Sequence, residues 1–446
     1  MNQSQVLAEM LNMNNKKKMR AKHNLTGINF PFHTRNPERV KFENDFNEII
    51  GIIARYSCGY VPLINSMEKE YYQKVVETLD IGPEVAEEEV HKLFTVDFKS
   101  LTNPHLFLYQ PVLLETKGEK SEAKGKELLG IFLTKLLKLD ENEKWKNYIL
   151  KTSNENNLYG EVISKSLPEL PRAGEEKRNF HFFDQEELLE VFNKDLDALM
   201  ANDQKFIDGI GLLISYYFFY YLIQQTYMMD STTREKLTTW YGYDKERIST
   251  GREAAQLGYK LVNEASKNLL VNNDLLDYLN VLTGSTTYQT LYDILNNNNI
   301  HFQLGKELMQ FNYLLAKKLE FDYDSNIDLI FQINQLKNML NTLSSNEAKG
   351  RFRKTFDEIS RLGFIKKRGR LGYVLNAKQD LIVLFVSVII GEEEKILLKD
   401  LLQEFEKRGL YFDKTTEKEI VLLFEKMNIL EKLSDSGDAQ YVRSIL

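Results

Sequence analysis

Four cationic side chains lie within the stretch GFIKKRGRLGYVLN, residues 363–376, and such side chains can bind a phosphate backbone. They are Lys366, Lys367, Arg368 and Arg370. No acidic residue lies within this stretch, so nothing local neutralises them. Lys and Arg are the usual donors to phosphate oxygens of DNA. We therefore expect DNA contact here, with an acidic protein partner or solubility alone as the alternatives.

A helix that carries further cations is predicted just before this stretch. Apolar residues recur at helical spacing, which predicts one buried face; they are Phe352, Phe356, Ile359 and Leu362. Arg353, Lys354 and Arg361 then point away from the core and join the expected DNA-binding set. Asp357 lies four residues from both arginines, so the alternative is an exposed helix with weak internal ion pairs.

The helix and the cationic stretch together have the outline of a winged helix. Ile365–Arg368 and Tyr373–Leu375 are short β-prone runs, and Gly369 and Gly372 between them permit a tight hairpin. Residues 351–376 hold eight Lys/Arg and two acids, a net charge of +6 in a chain whose total is −7. We take residues 344–377 as a first winged-helix-like unit.

Residue sets for catalysis are not found. The chain contains no Gly-x4-Gly-Lys-Ser/Thr string for holding nucleotide phosphates. Ser249–Arg252 reads as a helix cap, with a phosphate site as the lesser alternative. The six histidines lack metal-ligand spacing, and one cysteine cannot build a zinc site. We interpret Glu392–Lys395 as the solvent-exposed start of a helix. We expect no enzyme activity, no metal and no cofactor.

The N-terminal residues 1–36 are predicted to be a basic flexible arm. This segment is rich in Asn and Lys and shows no sustained apolar period. Its cations form a secondary DNA-binding set: Lys16, Lys17, Lys18, Arg20 and Lys22. Residues 1–41 carry eight Lys/Arg and two acids, so the two basic segments leave −19 for the rest of the chain. An acidic body between basic ends suits local DNA contact and basic protein partners.

The body, residues 37–343, is predicted to be a helical bundle. Helical patterns cover Val40–Arg55, Glu68–Leu79, Lys126–Leu139, Gln185–Met200, Phe206–Met229, Ala254–Leu270 and Leu304–Leu319. The polar stretches Lys117–Lys126 and Thr152–Lys177 are predicted loops, and Asn296–Asn299 a loop or turn. Strand patterns are sparse.

One predicted helix is long enough to cross a bilayer. Gly209–Met229 has no formal charge over 21 residues. Its five tyrosines and two glutamines would place many polar groups in hydrocarbon, so we predict a central buried helix and no membrane. One cysteine and a polar start without a signal peptide favour the reducing cytoplasm.

The last 69 residues, 378–446, are predicted to form a second winged-helix-like unit. An apolar helix Leu381–Ile390, capped by Asp380, precedes a helix carried by Leu397–Phe405 and stopped by Gly409. A third helix, capped by Thr415 or Thr416, leads into a hairpin whose tip holds Asp435 and Asp438. Acids repel phosphate, so we assign this second wing to protein contact or structure.

Two C-terminal stretches resemble the DptG (DndG) family. They are GFIKKRGRLGYVLN at residues 363–376 and LLFEKMNILEKLSDSGDAQYVRSIL at residues 422–446. The family's length is similar to this chain, but its specific motifs cover only the C-terminal quarter. The resemblance implies a G subunit of a bacterial DNA-phosphorothioation-dependent restriction system. It also implies two partner subunits, F and H, which would hold the ATPase and nuclease activities.

These observations predict a mainly α protein, a helical body followed by tandem winged-helix-like units. The expected function is a non-catalytic DNA-binding and scaffolding subunit of an anti-phage complex in the cytoplasm. Two alternatives stay open. A winged-helix transcription regulator would use the same wing as a dimer on a defined operator. A structural adaptor would dock an ATPase partner and contact DNA weakly.

Overall fold

The computed structural model describes residues 2–13, 19–31, 46–61, 67–79, 103–109, 117–151, 162, 165–183, 185–229, 231–432 and 440–445. Side chains at 67–72, 117–120, 355–357 and 360–361 fall outside that description. The described part of the chain is mainly α-helical, as the sequence predicted.

The described helices of the body pack around one another, and one short strand lies among the described body residues. The helices are α1 Gln3–Met10, α2 Asn47–Ser57, α3 Met67–Thr78, α4 Lys117–Leu136, α5 Glu143–Leu150, α6 Gln185–Leu199, α7 Asp203–Met228, α8 Glu253–Gln256, α9 Tyr259–Ser266, α10 Leu269–Thr283, α11 Leu291–Asn296, α12 Asn298–Leu319 and α13 Leu329–Leu343. A 3-10 turn covers Pro104–Tyr109, and strand β1 covers Trp240–Tyr243.

Three body segments differ from their predicted structure. In the shortest, the predicted loop or turn Asn296–Asn299, only Asn297 lies outside α11 and α12. The predicted loop Lys117–Lys126 is the first half of α4, because Lys and Glu are good helix formers and pair at i,i+4, as Lys126 does with Glu122. The single helix predicted for Ala254–Leu270 is instead α8, α9 and the start of α10. A Cβ at Gly258 would lie 2.8 Å from the Trp240 carbonyl oxygen, so this break brings the chain close to β1.

Helix α7 is buried in the centre of the body. It is the one described helix long and apolar enough to cross a membrane, and 78% of its most apolar window is buried inside the protein. Two of its tyrosines have internal partners: the Tyr216 hydroxyl donates to the Arg408 carbonyl at 2.7 Å, and Tyr217 donates to Asp195 at 2.6 Å. This burial agrees with the predicted core helix.

Helix α10 is a second buried helix, and it carries polar side chains inside the core. Asn273, Asp274 and Asp277 are each at most 2% exposed. Residues 19–31 run along this helix and supply the partners. His23 Nδ1 lies 2.8 Å from Asp274 Oδ1, and the Thr26 backbone N–H donates to Asp277 Oδ1 at 3.0 Å.

The described part of the expected N-terminal arm is therefore held against the body. Helix α1 buries Leu7 completely and packs on α10 and α12. The Ser4 N–H donates to Glu307 at 2.8 Å. An apolar period does not reveal this docking, because backbone amides and polar side chains of residues 19–31 bond to α10, while Phe30 is buried in the core.

The cationic hairpin belongs to a four-stranded sheet. Helix α14, Asn346–Ile359, leads into β2, Ile365–Lys367, and β3, Tyr373–Ala377. Strand β3 runs antiparallel to β2 and parallel to β1, and β1 is parallel to β5, Tyr411–Phe412. The order β2-β3-β1-β5 places a strand of the body between the two C-terminal segments.

The last segment folds as three helices and a second sheet. Its elements are α15 Gln379–Ile390, β4 Lys395–Leu397, α16 Leu398–Lys407, α17 Lys414–Lys426, β6 Leu430–Lys432 and β7 Gln440–Arg443. The antiparallel sheet has the order β4-β7-β6. Asp413 caps α17 by accepting from the Thr415 and Thr416 amides, whereas the sequence suggested the threonines as caps. The residue at the cap position of α15 is Lys378, not the predicted Asp380, which lies in the first turn.

Candidate nucleic-acid interface

A glycine sets the direction of the cationic hairpin. Helix α14 runs into one π-helical turn, Ser360–Phe364, where Gly363 has φ of 92°. This left-handed conformation favours glycine and lets the chain leave the helix and enter β2. At the other end, Gly369–Leu371 forms a single 3-10 turn at the tip.

Two of the four predicted DNA-binding cations are bonded to the protein itself. Lys366 Nζ lies 2.9 Å from Asp244 Oδ1 and 2.9 Å from the Asp244 carbonyl oxygen. Arg368 donates to the Tyr243 carbonyl at 2.7 Å and to the Glu246 carbonyl at 2.9 Å. These bonds fix the hairpin to the turn after β1.

Nothing local neutralises the four cations, but two of them have a role in folding. The hairpin contains no acid, but the acceptors come from a turn 122 positions earlier in the chain. They reach the hairpin only because β1 pairs with β3.

Electrostatics keep this anchor charged. Burial alone would raise the pKa of Asp244, but hydrogen bonds from Lys366 and Asn376 outweigh it and lower the pKa. Burial lowers the pKa of Arg368, and the nearby Asp244 and Glu246 oppose that effect. An arginine stays protonated under such a shift at neutral pH.

The other two hairpin cations, Lys367 and Arg370, are exposed. Neither has a hydrogen-bond or ion-pair partner among the residues that the structure describes. Because successive side chains of a strand alternate, Lys367 points to the face opposite Lys366. It stands directly across the strand pair from Tyr373. Lys367 and Arg370 are thus the hairpin cations available to a ligand.

The predicted helix cations divide in a similar way. Arg353 Nη2 donates to Asn263 Oδ1 of α9 at 2.6 Å, while Lys354 is exposed. The side chains of Arg361 and Asp357 lie outside the described residues, so the ion pairs expected around Asp357 stay a prediction.

The secondary, N-terminal set is only partly described. Lys16, Lys17 and Lys18 lie outside the described residues. Arg20 is exposed, whereas Lys22 Nζ donates to the Met10 carbonyl oxygen at 2.5 Å, at the end of α1. Of the described pair, Arg20 is the cation that a ligand could reach.

The nearest phosphate-site alternative, Ser249–Arg252, has a structural role. The Arg252 guanidinium donates to Asp413 at 2.6 Å and to Glu246 at 2.8 Å, and its side chain is only 11% exposed. It ties the turn after β1 to the start of α17. Lys395, in the predicted helix entry Glu392–Lys395, instead lies in β4 and pairs with Glu431 at 3.2 Å. Within the described ranges, no three His, Cys, Asp or Glu residues could together hold a metal ion.

The sequence reasoning did not single out Tyr373 or Lys260. Tyr373 is 50% exposed, and its ring lies 6.4 Å from the Tyr259 ring of α9. Lys260 is exposed on the same helix. The alternation of β3 could have indicated that Tyr373 lies beside Lys367, but nothing in the sequence indicates that α9, the helix of Lys260, packs against β3. Asp435 and Asp438, at the tip of the predicted second wing, lie outside the described residues.

The interface thus presents exposed cations of a hairpin that other cations fix to the body. No protein-family model matches the sequence, and no curated protein matches it either.

Proposed function

We propose that this chain is a non-catalytic DNA-binding and scaffolding subunit of a phosphorothioation-dependent restriction complex in the bacterial cytoplasm. One observation carries the DNA-binding part. Lys367 and Arg370 project unpaired, among the described residues, from a hairpin that Lys366 and Arg368 anchor. Cations held on a rigid support lose little conformational entropy on binding phosphate, which favours a DNA contact.

The topology of the C-terminal segments supports the tandem winged-helix proposal. Residues 379–443 run helix, strand, helix, strand, helix, strand, strand. The second of these strands, β5, belongs to the four-stranded sheet; of the other three, β4 pairs with β7 and β7 with β6. That is the arrangement expected of a winged helix. The first unit has the helix and the wing, but its sheet is completed by β1 of the body.

An exposed loop supports the scaffolding part. The connection between α12 and α13 holds Glu320, Asp322, Asp324 and Asp328, and no Lys or Arg. Ile327 and Ile330 beside it are 79% and 58% exposed. The buried Gln332 donates to the Asp324 and Asn326 carbonyls at 3.0 and 2.6 Å, so the loop is held in place. Exposed apolar residues ringed by acids suit a basic protein partner.

The restriction-complex context rests on the resemblance of residues 363–376 and 422–446 to the DptG family. In that context the partners are the F and H subunits, and the chemistry lies in those chains. The acidic loop equally favours a second candidate function, an adaptor that docks an ATPase partner and contacts DNA weakly. The two functions differ in how much the wing matters for DNA binding.

A binding comparison tests the proposal. Duplex affinity is measured at one low salt concentration for the wild type and for Lys367→Ala/Arg370→Ala. The matched control is Lys306→Ala/Lys317→Ala, two exposed cations on α12. We expect roughly a tenfold loss for the wing variant and no change for the control. Weak wild-type binding that both variants leave unchanged would favour the adaptor.

A further inference from the structure

We infer that the proposed DNA surface stacks an unpaired base on Tyr373, so that its preferred ligand is single-stranded DNA and not blunt duplex. This inference rests on the proposed function, and it names the class of DNA. It follows from an exposed aromatic ring placed among the free cations of the same hairpin.

The ring of Tyr373 is held on one side and open on another. The residue is 50% exposed. Its ring lies 6.4 Å from that of Tyr259, with 76° between their planes, and Tyr259 is buried in α9. A tyrosine supported in this way loses little freedom when a second ring stacks on it.

Exposed apolar residues lie on the neighbouring element. Leu257, just before α9, is 46% exposed, and Leu261 within α9 is 36% exposed. Helix α9 packs against β3, the strand that holds Tyr373. The helix that supports the ring therefore adds exposed apolar side chains, which suit contact with the face of a base or a sugar.

Exposed cations lie on the same hairpin and on the same helix as these side chains. Lys367 is the direct cross-strand neighbour of Tyr373, Arg370 lies at the tip, and Lys260 is exposed on α9. The acid on that helix, Glu264, is paired with Lys267 at 2.5 Å. Free positive charge around an exposed aromatic ring is the pattern that tracks a single strand, with bases stacking and phosphates held at the rim.

A blunt duplex can use only part of this surface. Its phosphates can reach the cations, but its bases are stacked on one another inside the helix. A protein ring can stack on a base only where that base is unpaired, terminal or flipped out. Tyr373 should therefore contribute to single-strand affinity and not to duplex affinity.

The test compares four full-length proteins on oligothymidine and on blunt duplex. They are the wild type, Tyr373→Ala, Tyr373→Phe and the control Tyr313→Ala. Tyr313 of α12 is a close match, because it is 55% exposed and contacts one other tyrosine ring at 6.0 Å. We expect Tyr373→Ala to lose about tenfold on oligothymidine and to change little on duplex. Tyr373→Phe and Tyr313→Ala should bind as the wild type does.

The salt dependence separates stacking from charge. Tyr373→Ala should lower the affinity for oligothymidine without changing its salt slope, whereas Lys367→Ala should reduce the slope by ~0.7. Equal losses for Tyr373→Ala on both ligands would overturn the inference, as would no loss on oligothymidine. In those cases, duplex binding that still depends on Lys367 and Arg370 would leave the proposed function standing. Wild-type protein that binds neither ligand would refute both.

Discussion

Lys366 and Lys367 are neighbours of one residue type, but one is bonded to Asp244 and the other is exposed. The hairpin and its charge could be predicted from the sequence, because glycine spacing and β-prone runs are local. The sequence could not predict which cation is bonded within the protein and which is exposed. That difference depends on β1 pairing with β3, more than a hundred positions away in the chain. Strand alternation places Lys366 and Lys367 on opposite faces of β2. The turn after β1 contacts the face of Lys366, and this contact gives that lysine its structural role.

This difference predicts that removing neighbouring cations lowers the free energy of unfolding by different amounts. Arg368→Ala should destabilise the fold by about 2 kcal/mol, because the carbonyls of Tyr243 and Glu246 lose their donor. Lys367→Ala should change the free energy of unfolding by less than ~0.5 kcal/mol. Urea unfolding of both variants measures this. Equal stabilities would show that the anchor contributes nothing.

The contact between His23 and Asp274 predicts a pH dependence. Burial alone would lower the pKa of His23, but its bond with Asp274 outweighs that and raises the pKa above 6.5. Burial raises the pKa of Asp274 to about 6. The fold therefore holds protons more readily than the unfolded chain, so this stabilisation is present at low pH and is lost as pH rises through the raised values.

His23→Gln should accordingly lower the free energy of unfolding more at low pH than at high pH. We expect a loss of about 1–2 kcal/mol near pH ~6 and a smaller loss near pH ~8.5, where a neutral imidazole keeps only its hydrogen bond. Urea midpoints of the wild type and the variant across this range give the difference. A loss that grows with pH would contradict the assignment.

At the scale of elements, the long apolar helices were predictable and the polar contacts between them were not. The pattern at Phe206–Met229 predicted a buried helix, and α7 is one. The sequence did not predict that segment 19–31 packs along helix α10. Their contacts join carboxylates of α10 to amides and His23 about 250 positions away, which no periodicity encodes.

The junction between α14 and β2 gives an element-scale prediction. Gly363→Ala should destabilise the fold by at least ~1 kcal/mol, because φ of 92° is strained for alanine and the new Cβ would meet the Lys378 side chain. The control is Gly350→Ala in α14, the helix that precedes the junction, where nothing lies within 4 Å of the added Cβ. That change should stabilise slightly. Thermal unfolding compares them; similar melting temperatures would show that Gly363 does not set the junction.

Across the whole molecule, charge is uneven and the body is acidic. The net charge of the chain is −7, although two of its segments each have a net charge of +6. Composition and patterning could predict this division and the mainly helical class. They could not show that β1 of the body joins the sheet of the cationic hairpin, because a four-residue strand is too short to give a clear periodic pattern.

For the whole chain we also predict no ATP hydrolysis. A nucleotide site needs a residue set that holds phosphates and Mg²⁺, and the sequence contains no such P-loop string. The measurement is phosphate release by the purified protein, with and without DNA. Turnover that follows this chain through further purification would exclude the accessory-subunit function.

The central claim, that the exposed wing cations bind the DNA backbone, is tested most directly by the salt dependence of duplex binding. Each phosphate contact contributes ~0.9 to the slope of log affinity against log salt. Lys367→Ala/Arg370→Ala should therefore lower the slope by about 1.8, and Lys306→Ala/Lys317→Ala should leave it unchanged. An unchanged slope for the wing variant would contradict the claim and assign the phosphate contacts to another part of the chain.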